Sequence, residues 1–498
     1  MTDRLVVIGG DAAGMSAASQ AKRLRGDKLE VIAFERGAHS SYSACGIPYW
    51  VAGDVGDGEQ LVARTPEAHR ANGIDLRMLT DVEAIDVNAG QVEVRDLAAG
   101  RRYREGFDHL VIATGALPVR PALPGGDAAG VFGVQTLDDG AALLAGLERL
   151  RPQRAVVIGG GYIGVEMAEA LARRHVTVTV VDQAPQPMST LDPDMGELVH
   201  RAMEELGIDV HTDTAVTGFD TDGDGRVRSV LTGDGAVQAD VVVLGLGVRP
   251  NTALASQAGL PLGDHRGIRT DMQMRVLGHD RVWAGGDCVE VLNLVSGQYQ
   301  HVPLGTHANK HGRVIGHNVG GSYATFPGVV GTAVSKVYDL EIARTGLRER
   351  DATHAGFGFV TVTVRSGTRA AYFPGTQRLT VKMTAERHTG RLLGAQIVGN
   401  EGSAKRIDTA ATALWNNMTV EEMTALDLAY APPFSPVWDP ILVAARQASA
   451  AVRALPSWGS EAGSRPAQPA GRRGRPRPPH WPRPGRRRRG RGGSPARP

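Results

Sequence analysis

The sequence predicts an α/β protein built around two Rossmann-like units. Three observations predict it: a glycine-rich, aromatic-poor composition, an internal repeat of strand, glycine turn and helix, and an acidic residue closing the strand after each repeat. Of 498 residues 64 are Gly, aromatics make up 5% and charged residues 22%, the profile of a globular α/β chain. That length exceeds what one hydrophobic core fills, so two or three domains are expected.

The elements follow in chain order. "LVVIGGDAAGMSAASQAKRLR" begins at Leu5: a β-branched strand, a turn with Gly9, Gly10 and Gly14, then an amphipathic helix. Asp11 stands where the central glycine of G-x-G-x-x-G is usual, and the next strand, "LEVIAFE", ends at Glu35, 21 positions after Gly14. The second copy, "AVVIGGGYIGVEMAEALARR" from Ala155, is complete at Gly159, Gly161 and Gly164, and its following strand "VTVTVVD" ends at Asp182, 18 positions on. Such glycines allow a tight turn and let a pyrophosphate approach backbone N–H groups at a helix N-terminus. An acid at this distance accepts from a ribose 2′-OH. Two such units predict two dinucleotides, a nicotinamide nucleotide passing hydride to a flavin. Gln183, Ala184 and Pro185 follow Asp182; none supplies the Arg that meets a 2′-phosphate, which favours NADH, with NADPH as the alternative.

Between the repeats lies "SYSACGIPYW", with Cys45, one of only 2 cysteines. The thiolate is the reactive form of cysteine, and Pro48 suits an early helical position, so a helix N-terminus is expected to lower the Cys45 pKa. Trp50 rather than a second cysteine follows it, so no dithiol can form within this stretch. Cys288, in an apolar strand end, reads as a buried spectator.

Composition limits the rest. No apolar run approaches the roughly 18 residues of a membrane span, and the start "MTDRLVVIGG" passes straight into a strand. Two cysteines make no disulfide framework; a cytoplasmic protein with an unpaired thiol is expected. No His/Cys/Asp cluster has metal-ligand spacing, so no metal is expected. After Leu455, twelve Arg and one Glu carry +11 of a formal total of +2, leaving −9 on the rest. That Pro/Gly/Arg-rich segment, 456–498, is expected to be disordered. Nucleic acid is a partner only through this segment, and the alternative is a solvated tail.

From residue 3 to about 448 the chain resembles the flavoprotein pyridine nucleotide-disulfide oxidoreductases, in particular their single-cysteine branch of coenzyme A-disulfide reductases, persulfide reductases, NADH oxidases and NADH peroxidases. The motifs are "FDHLVIATGALP" (107–118), "VVVLGLGVRPN" (241–251), "VWAGGDC" (282–288), "VPLGTHANKHGRVIGHNVGG" (302–321), "GTAVSKVYDLEIARTGL" (331–347) and "YAPPFSPVWDP" (430–440). The resemblance implies an FAD-binding domain in two parts (1–117 and 246–322), an NAD(P)H-binding domain (118–245) and an α+β dimerisation domain (323–455) closing a homodimer. It implies FAD contacts at Gly9, Gly10, Ala13, Gly14, Glu35, Arg36, Ser41, Val82, Thr114, Gly115, Gly286 and Asp287, and a cofactor contact at Gly247 in the near-cofactor segment 241–251. For the nicotinamide nucleotide it implies Gly159, Gly161, Tyr162, Ile163, Gly164, Glu166 and Asp182.

The same resemblance gives Cys45 the catalytic role, forming a mixed disulfide with a small disulfide or persulfide substrate, with Tyr372 and Tyr430 brought by the partner subunit; ordinary interface packing is the other reading of these tyrosines. Gln20, Arg23, Ser41 and Asn309 match substrate contacts. Ala12 stands where the oxidases and peroxidases carry a His, which favours disulfide or persulfide reduction over reduction of oxygen or peroxide. Ala44 and Trp438 replace an Asn and a phosphate-pairing Lys of the coenzyme A-specific members, leaving the thiol open. His307 and Lys310 read equally as cofactor neighbours or as solvated and capping groups. Two alternatives remain: an NADH oxidase working at the flavin, and a redox-sensing flavoprotein tethered to nucleic acid by its tail.

Overall fold

The computed structural model describes residues 2–454; the Arg-rich segment from Pro456 lies outside them. The first repeat forms as its pattern predicts. Strand Asp3–Ile8 and helix Ala12–Arg25 are joined by the glycine turn, and the strand pairs in parallel with Leu29–Phe34 on one side and His109–Ile112 on the other. The five-stranded sheet continues to Asp75–Arg77 at one edge and at the other to Val282–Ala284, which arrives from far along the chain. Its strands are apolar on both faces, as a sheet covered on both sides requires, and helix Gly305–Val319 packs against Ala12–Arg25 on one face.

The second repeat builds a matching sheet. Strand Arg154–Ile158 pairs in parallel with Thr177–Val181 and Val241–Leu244, and helix Tyr162–Arg173 follows the turn. Val131–Gly133 and Asp209–His211 complete five strands. The third part is an antiparallel five-stranded sheet, with Ala333–Val337, Leu340–Gly346, Leu392–Gly399, Arg378–Glu386 and Phe359–Gly367 adjacent in that order. Helices Ser403–Trp415 and Pro440–Arg453 pack against it. The first and third parts are each built on a buried core, whereas the core around the second repeat also takes in Ile47, Val51 and Leu61 from the first part and Val337, Ile342 and Val398 from the third. No helix among the described residues is long and apolar enough to cross a membrane.

Candidate active site between the two glycine turns

The two glycine turns are built alike. Glu35 accepts from the N–H groups of Gly10 (2.7 Å) and Gly37 (2.7 Å). Asp182 does the same for Gly160 (2.5 Å) and Ala184 (2.8 Å). Each acid thus fastens its strand end to its turn. Gly9 has φ +108°, and a Cβ there would lie 2.1 Å from the carbonyl oxygen of Ala113; one on Gly14 would lie 2.0 Å from that of Gly9. Gly159 (φ +97°) and Gly164 repeat this, at 2.6 Å from the Gly245 oxygen and 1.7 Å from the Gly159 oxygen. Only glycine fits at these four positions.

Other expected residues converge on the first turn. The Ser41 N–H donates to the Gly10 carbonyl (3.3 Å), and a Cβ on Gly286 would come within 3.1 Å of the Ala13 methyl group. Thr114 and Gly115 are tied to Asn251: the Thr114 hydroxyl donates to the Asn251 carbonyl (2.6 Å) and the Asn251 N–H to the Gly115 carbonyl (3.0 Å). Gly115 (φ +68°) and Gly247 (φ +78°) face open space where a Cβ would stand, as does Gly161. Burial alone pushes Asp287 up to about 6. Asp11 also rises to about 6, first through burial and then through Glu35. Backbone bared at glycines beside a buried acceptor fits a flavin nucleotide, and the second turn fits a nicotinamide nucleotide.

Two expected cofactor residues stand apart. Arg36 is exposed beyond the strand end, and the Val82 side chain is 4% exposed within the first core, so Val82 can offer only its backbone. Tyr162 and Ile163 open the helix Tyr162–Arg173. On that helix the Glu166 carboxylate accepts from the Ser335 hydroxyl (2.9 Å), and burial pushes its pKa up. The Gly286 N–H donates to His311 Nδ1 (3.1 Å), and the His311 ring meets Phe326 edge-on at 4.3 Å. His307 stacks beside His311, and Lys310 is exposed.

Cys45 lies in a short turn, Ala44–Gly46, leading into the six-residue helix Ile47–Ala52 with Pro48 in its first turn. The thiol is exposed, yet the surrounding protein withdraws water and pushes its pKa up, with the Glu166 and Asp287 carboxylates adding to the rise. This corrects the expectation of a lowered pKa. The helix is too short for its dipole, worth about 0.3–1 kcal/mol, to offset desolvation and the negative charge of two carboxylates. Trp50, where a dithiol would need its second cysteine, is a packing residue: Cβ atoms added at Gly58 or Gly140 would each come within 3.0 Å of its ring. Cys288 is fully buried, with its thiol up at about 11, as expected of a spectator.

Of the expected substrate residues, Gln20 and Arg23 lie on the helix Ala12–Arg25, Asn309 on the helix Gly305–Val319 packed against it, and Ser41 in the loop before Cys45. Gln20 accepts from Arg23 (3.0 Å), and Ser16 donates to Asn309 (2.9 Å). Ser16, Gln20 and Arg23 follow the i, i+4, i+7 stripe of Ala12–Arg25. Sequence reasoning missed Ser16, although that spacing marks it. Tyr372 and Tyr430, 58 positions apart in sequence, come near enough for the Tyr372 hydroxyl to raise the Tyr430 pKa. Both are exposed, as are Phe434, Val437 and Trp438 nearby in sequence. Arg446 stacks on Trp438, its guanidinium carbon 4.4 Å from the ring centroid. Among the described residues no group of three or more His, Cys, Asp or Glu is placed to hold a metal ion.

Comparison with known proteins identifies the assembly. Residues 3–312 match the pyridine nucleotide-disulphide oxidoreductase family and residues 332–440 its dimerisation domain. The chain belongs to the pyridine nucleotide-disulphide oxidoreductases. It is 38% identical over 448 residues to the NAD(P)H coenzyme A polysulfide/persulfide reductase of Pyrococcus horikoshii, covering 90% of this chain and 98% of that one. An NADH oxidase of Methanocaldococcus jannaschii is 35% identical over 449 residues, covering 89% and 98% of the two chains. The structure of a NAD-dependent persulfide reductase from A. fulgidus superposes with a TM-score of 0.87 at 38% identity, covering 90% of this chain and 83% of that one. This pyridine nucleotide-disulphide oxidoreductase therefore has its two glycine turns and its lone exposed thiol within a family whose fold it shares throughout.

A paired substitution separates the two turns. Gly9→Ala is expected to yield a pyridine nucleotide-disulphide oxidoreductase that loses FAD on gel filtration. Gly159→Ala is expected to keep its yellow colour and to raise the KM for NADH by about tenfold or more, since strained contacts of this kind cost several kcal/mol. Flavin absorbance and NADH kinetics on the two proteins read the difference.

Proposed function

We propose that this protein is a homodimeric, FAD-dependent NAD(P)H oxidoreductase that reduces a low-molecular-weight disulfide or persulfide at Cys45. The observation that carries the reading is the single exposed thiol, with no neighbouring cysteine, three residues after Tyr42, whose N–H donates to Asp11 of the first turn, and just before a helix that packs on Tyr162–Arg173 of the second. FAD, when bound, supplies two-electron transfer between nicotinamide and sulfur. Gly9, Gly14, Glu35 and Asp287 hold it; Gly159, Gly164 and Asp182 hold the nicotinamide nucleotide. Residues 118–245 act as the NAD(P)H-binding part inserted between two FAD-binding parts, and 323–455 as the dimerisation domain.

The Cys45 thiolate attacks one sulfur of RSSR, the S–S bond breaks, and RS⁻ leaves as Cys45–S–S–R forms. One hydride from NADH, which carries two electrons, and one proton from solvent return Cys45 and release two RSH in total, leaving NAD⁺. A raised thiol pKa makes the nucleophile stronger once ionised, and holds Cys45 as a thiol until its charge is offset. Gln20, Arg23, Ser41 and Asn309 orient the substrate, and Tyr372 and Tyr430 of the partner subunit donate to the departing thiolate. Any nucleic-acid contact falls to the Arg-rich segment, and the enzyme works in the cytoplasm.

The test is anaerobic turnover of coenzyme A disulfide by the FAD-loaded enzyme with NADH. Two thiols per NADH consumed are expected. Rapid NADH oxidation that requires oxygen and releases no thiol would instead establish the oxidase alternative, which the Methanocaldococcus relative represents.

A further inference from the structure

The stretch that carries Cys45 is braced by a histidine to which the mechanism above gives no role. His69, on the short helix Pro66–Ala71, is 2% exposed, and its Nε2 lies 2.9 Å from the Ser41 hydroxyl oxygen. Its Nδ1 is buried without a hydrogen-bond partner. Ser41 has φ +51°, a left-handed conformation that costs a non-glycine residue about 1–2 kcal/mol. Its backbone is held from both sides, through the bond to Gly10 and by accepting from the Ala63 N–H (2.8 Å).

The unpartnered Nδ1 decides the direction of the bond. Were Nδ1 protonated, a buried N–H would have no acceptor, which is the rarer arrangement in proteins. With the proton on Nε2, only a neutral acceptor is left unpaired, and Nε2–H donates to Ser41 Oγ. Burial, with the Arg64 charge adding, keeps the His69 pKa below its usual value, so the ring is neutral as this tautomer requires. The Ser41 hydroxyl then has its own proton free to donate away from His69. Ser41 is part-exposed and stands four residues before Cys45.

We propose that His69 is a positioning residue that fixes the Ser41 hydroxyl as a hydrogen-bond donor to an acceptor oxygen or sulfur of the substrate bound at Cys45. This rests on the reading of Ser41 as a substrate contact. The signal in the sequence is slight: a single His in "TPEAHRANG", 24 residues beyond Cys45.

A double-mutant cycle on the FAD-loaded enzyme tests it, with coenzyme A disulfide as substrate. His69→Phe keeps a ring and removes the donor. It is expected to raise the KM for the disulfide about tenfold, the scale of one hydrogen bond to a ligand, with kcat changed less than about twofold and NADH-to-ferricyanide activity unchanged. Ser41→Ala is expected to give a similar rise, and the double variant no more than Ser41→Ala alone. His69→Gln, whose amide N–H can replace Nε2–H, is expected to recover most of the loss. If His69→Phe fails to fold, His69→Met carries the same prediction through the same cycle. Additive effects, or a wild-type KM in the His69 variant, overturn the proposal alone. A wild-type enzyme inert toward disulfides overturns the proposed function as well.

Discussion

Cys45→Ser is expected to abolish NADH-dependent disulfide reduction, by about 10³-fold or more, while NADH still bleaches the flavin at close to the wild-type rate. The two halves of the reaction use separate residues. In the proposed reaction, hydride delivery depends on the second glycine turn, Asp182 and the face around Glu166, none of which contains sulfur. Release of thiol depends on a nucleophile that can form and break an S–S bond, which a serine hydroxyl cannot do. Removing a covalent nucleophile typically costs many orders of magnitude because no neighbouring group substitutes for it, and the other cysteine, Cys288, is fully buried. Stopped-flow absorbance of the flavin and a thiol-specific colour assay, run on the same preparation, separate the halves. Equal loss in both would mean that the substitution had disturbed the flavin site instead.

The largest effect on stability is expected away from the thiol, at Lys382. Its ammonium, 4% exposed on the strand Arg378–Glu386, lies 2.7 Å from Asp194, 3.2 Å from Asp192 and 3.2 Å from Glu349. Asp192 is itself 2% exposed; it accepts from the Gln396 side chain (2.7 Å) and from the Glu349 N–H (3.0 Å). Asp192 and Asp194 sit at the start of the helix Pro193–Glu205, so this cluster fastens the second Rossmann unit to the antiparallel sheet. Lys382→Ala leaves Asp192 buried without its cation, and such a loss costs about 3–5 kcal/mol. The midpoint of urea unfolding is expected to fall accordingly. Adding Asp192→Asn to Lys382→Met is expected to recover much of that loss, since the uncompensated charge is then gone. Burial works against the ammonium, but the Asp194 hydrogen bond and the surrounding carboxylates leave its pKa above the usual value. The contribution is therefore fully present below about pH 10.4, the unfolded lysine value, and is lost only as pH rises through the folded value.

Most of the fold was readable because the glycine turns are local. A positive φ at Gly9 and Gly159 and the close approach of Gly14 and Gly164 to the preceding turn leave marks at fixed spacing, and Glu35 and Asp182 close the pattern. The C-terminal sheet had no comparable signature and rested on resemblance. The site was read less completely. Cys45 stands out for its rarity, but its raised pKa does not, because the burial that withdraws water from it, and then the carboxylates of Glu166 and Asp287, come only with the fold. Lys382 draws its partners from residues 192, 194 and 349, so nothing near it in sequence marks a buried cation. His69 is legible only once Ser41 is seen to be strained and braced. Trp50 marks the missing second thiol in the sequence, while its fit against Gly58 and Gly140 arises only in the fold.

Intact-mass analysis of the oxidised, FAD-loaded enzyme after exposure to coenzyme A disulfide, followed by peptide mapping, tests the central claim most directly. One coenzyme A per subunit, attached through a disulfide at Cys45 and released by NADH, is the expected result. An unmodified Cys45, or an adduct that NADH cannot remove, would contradict it.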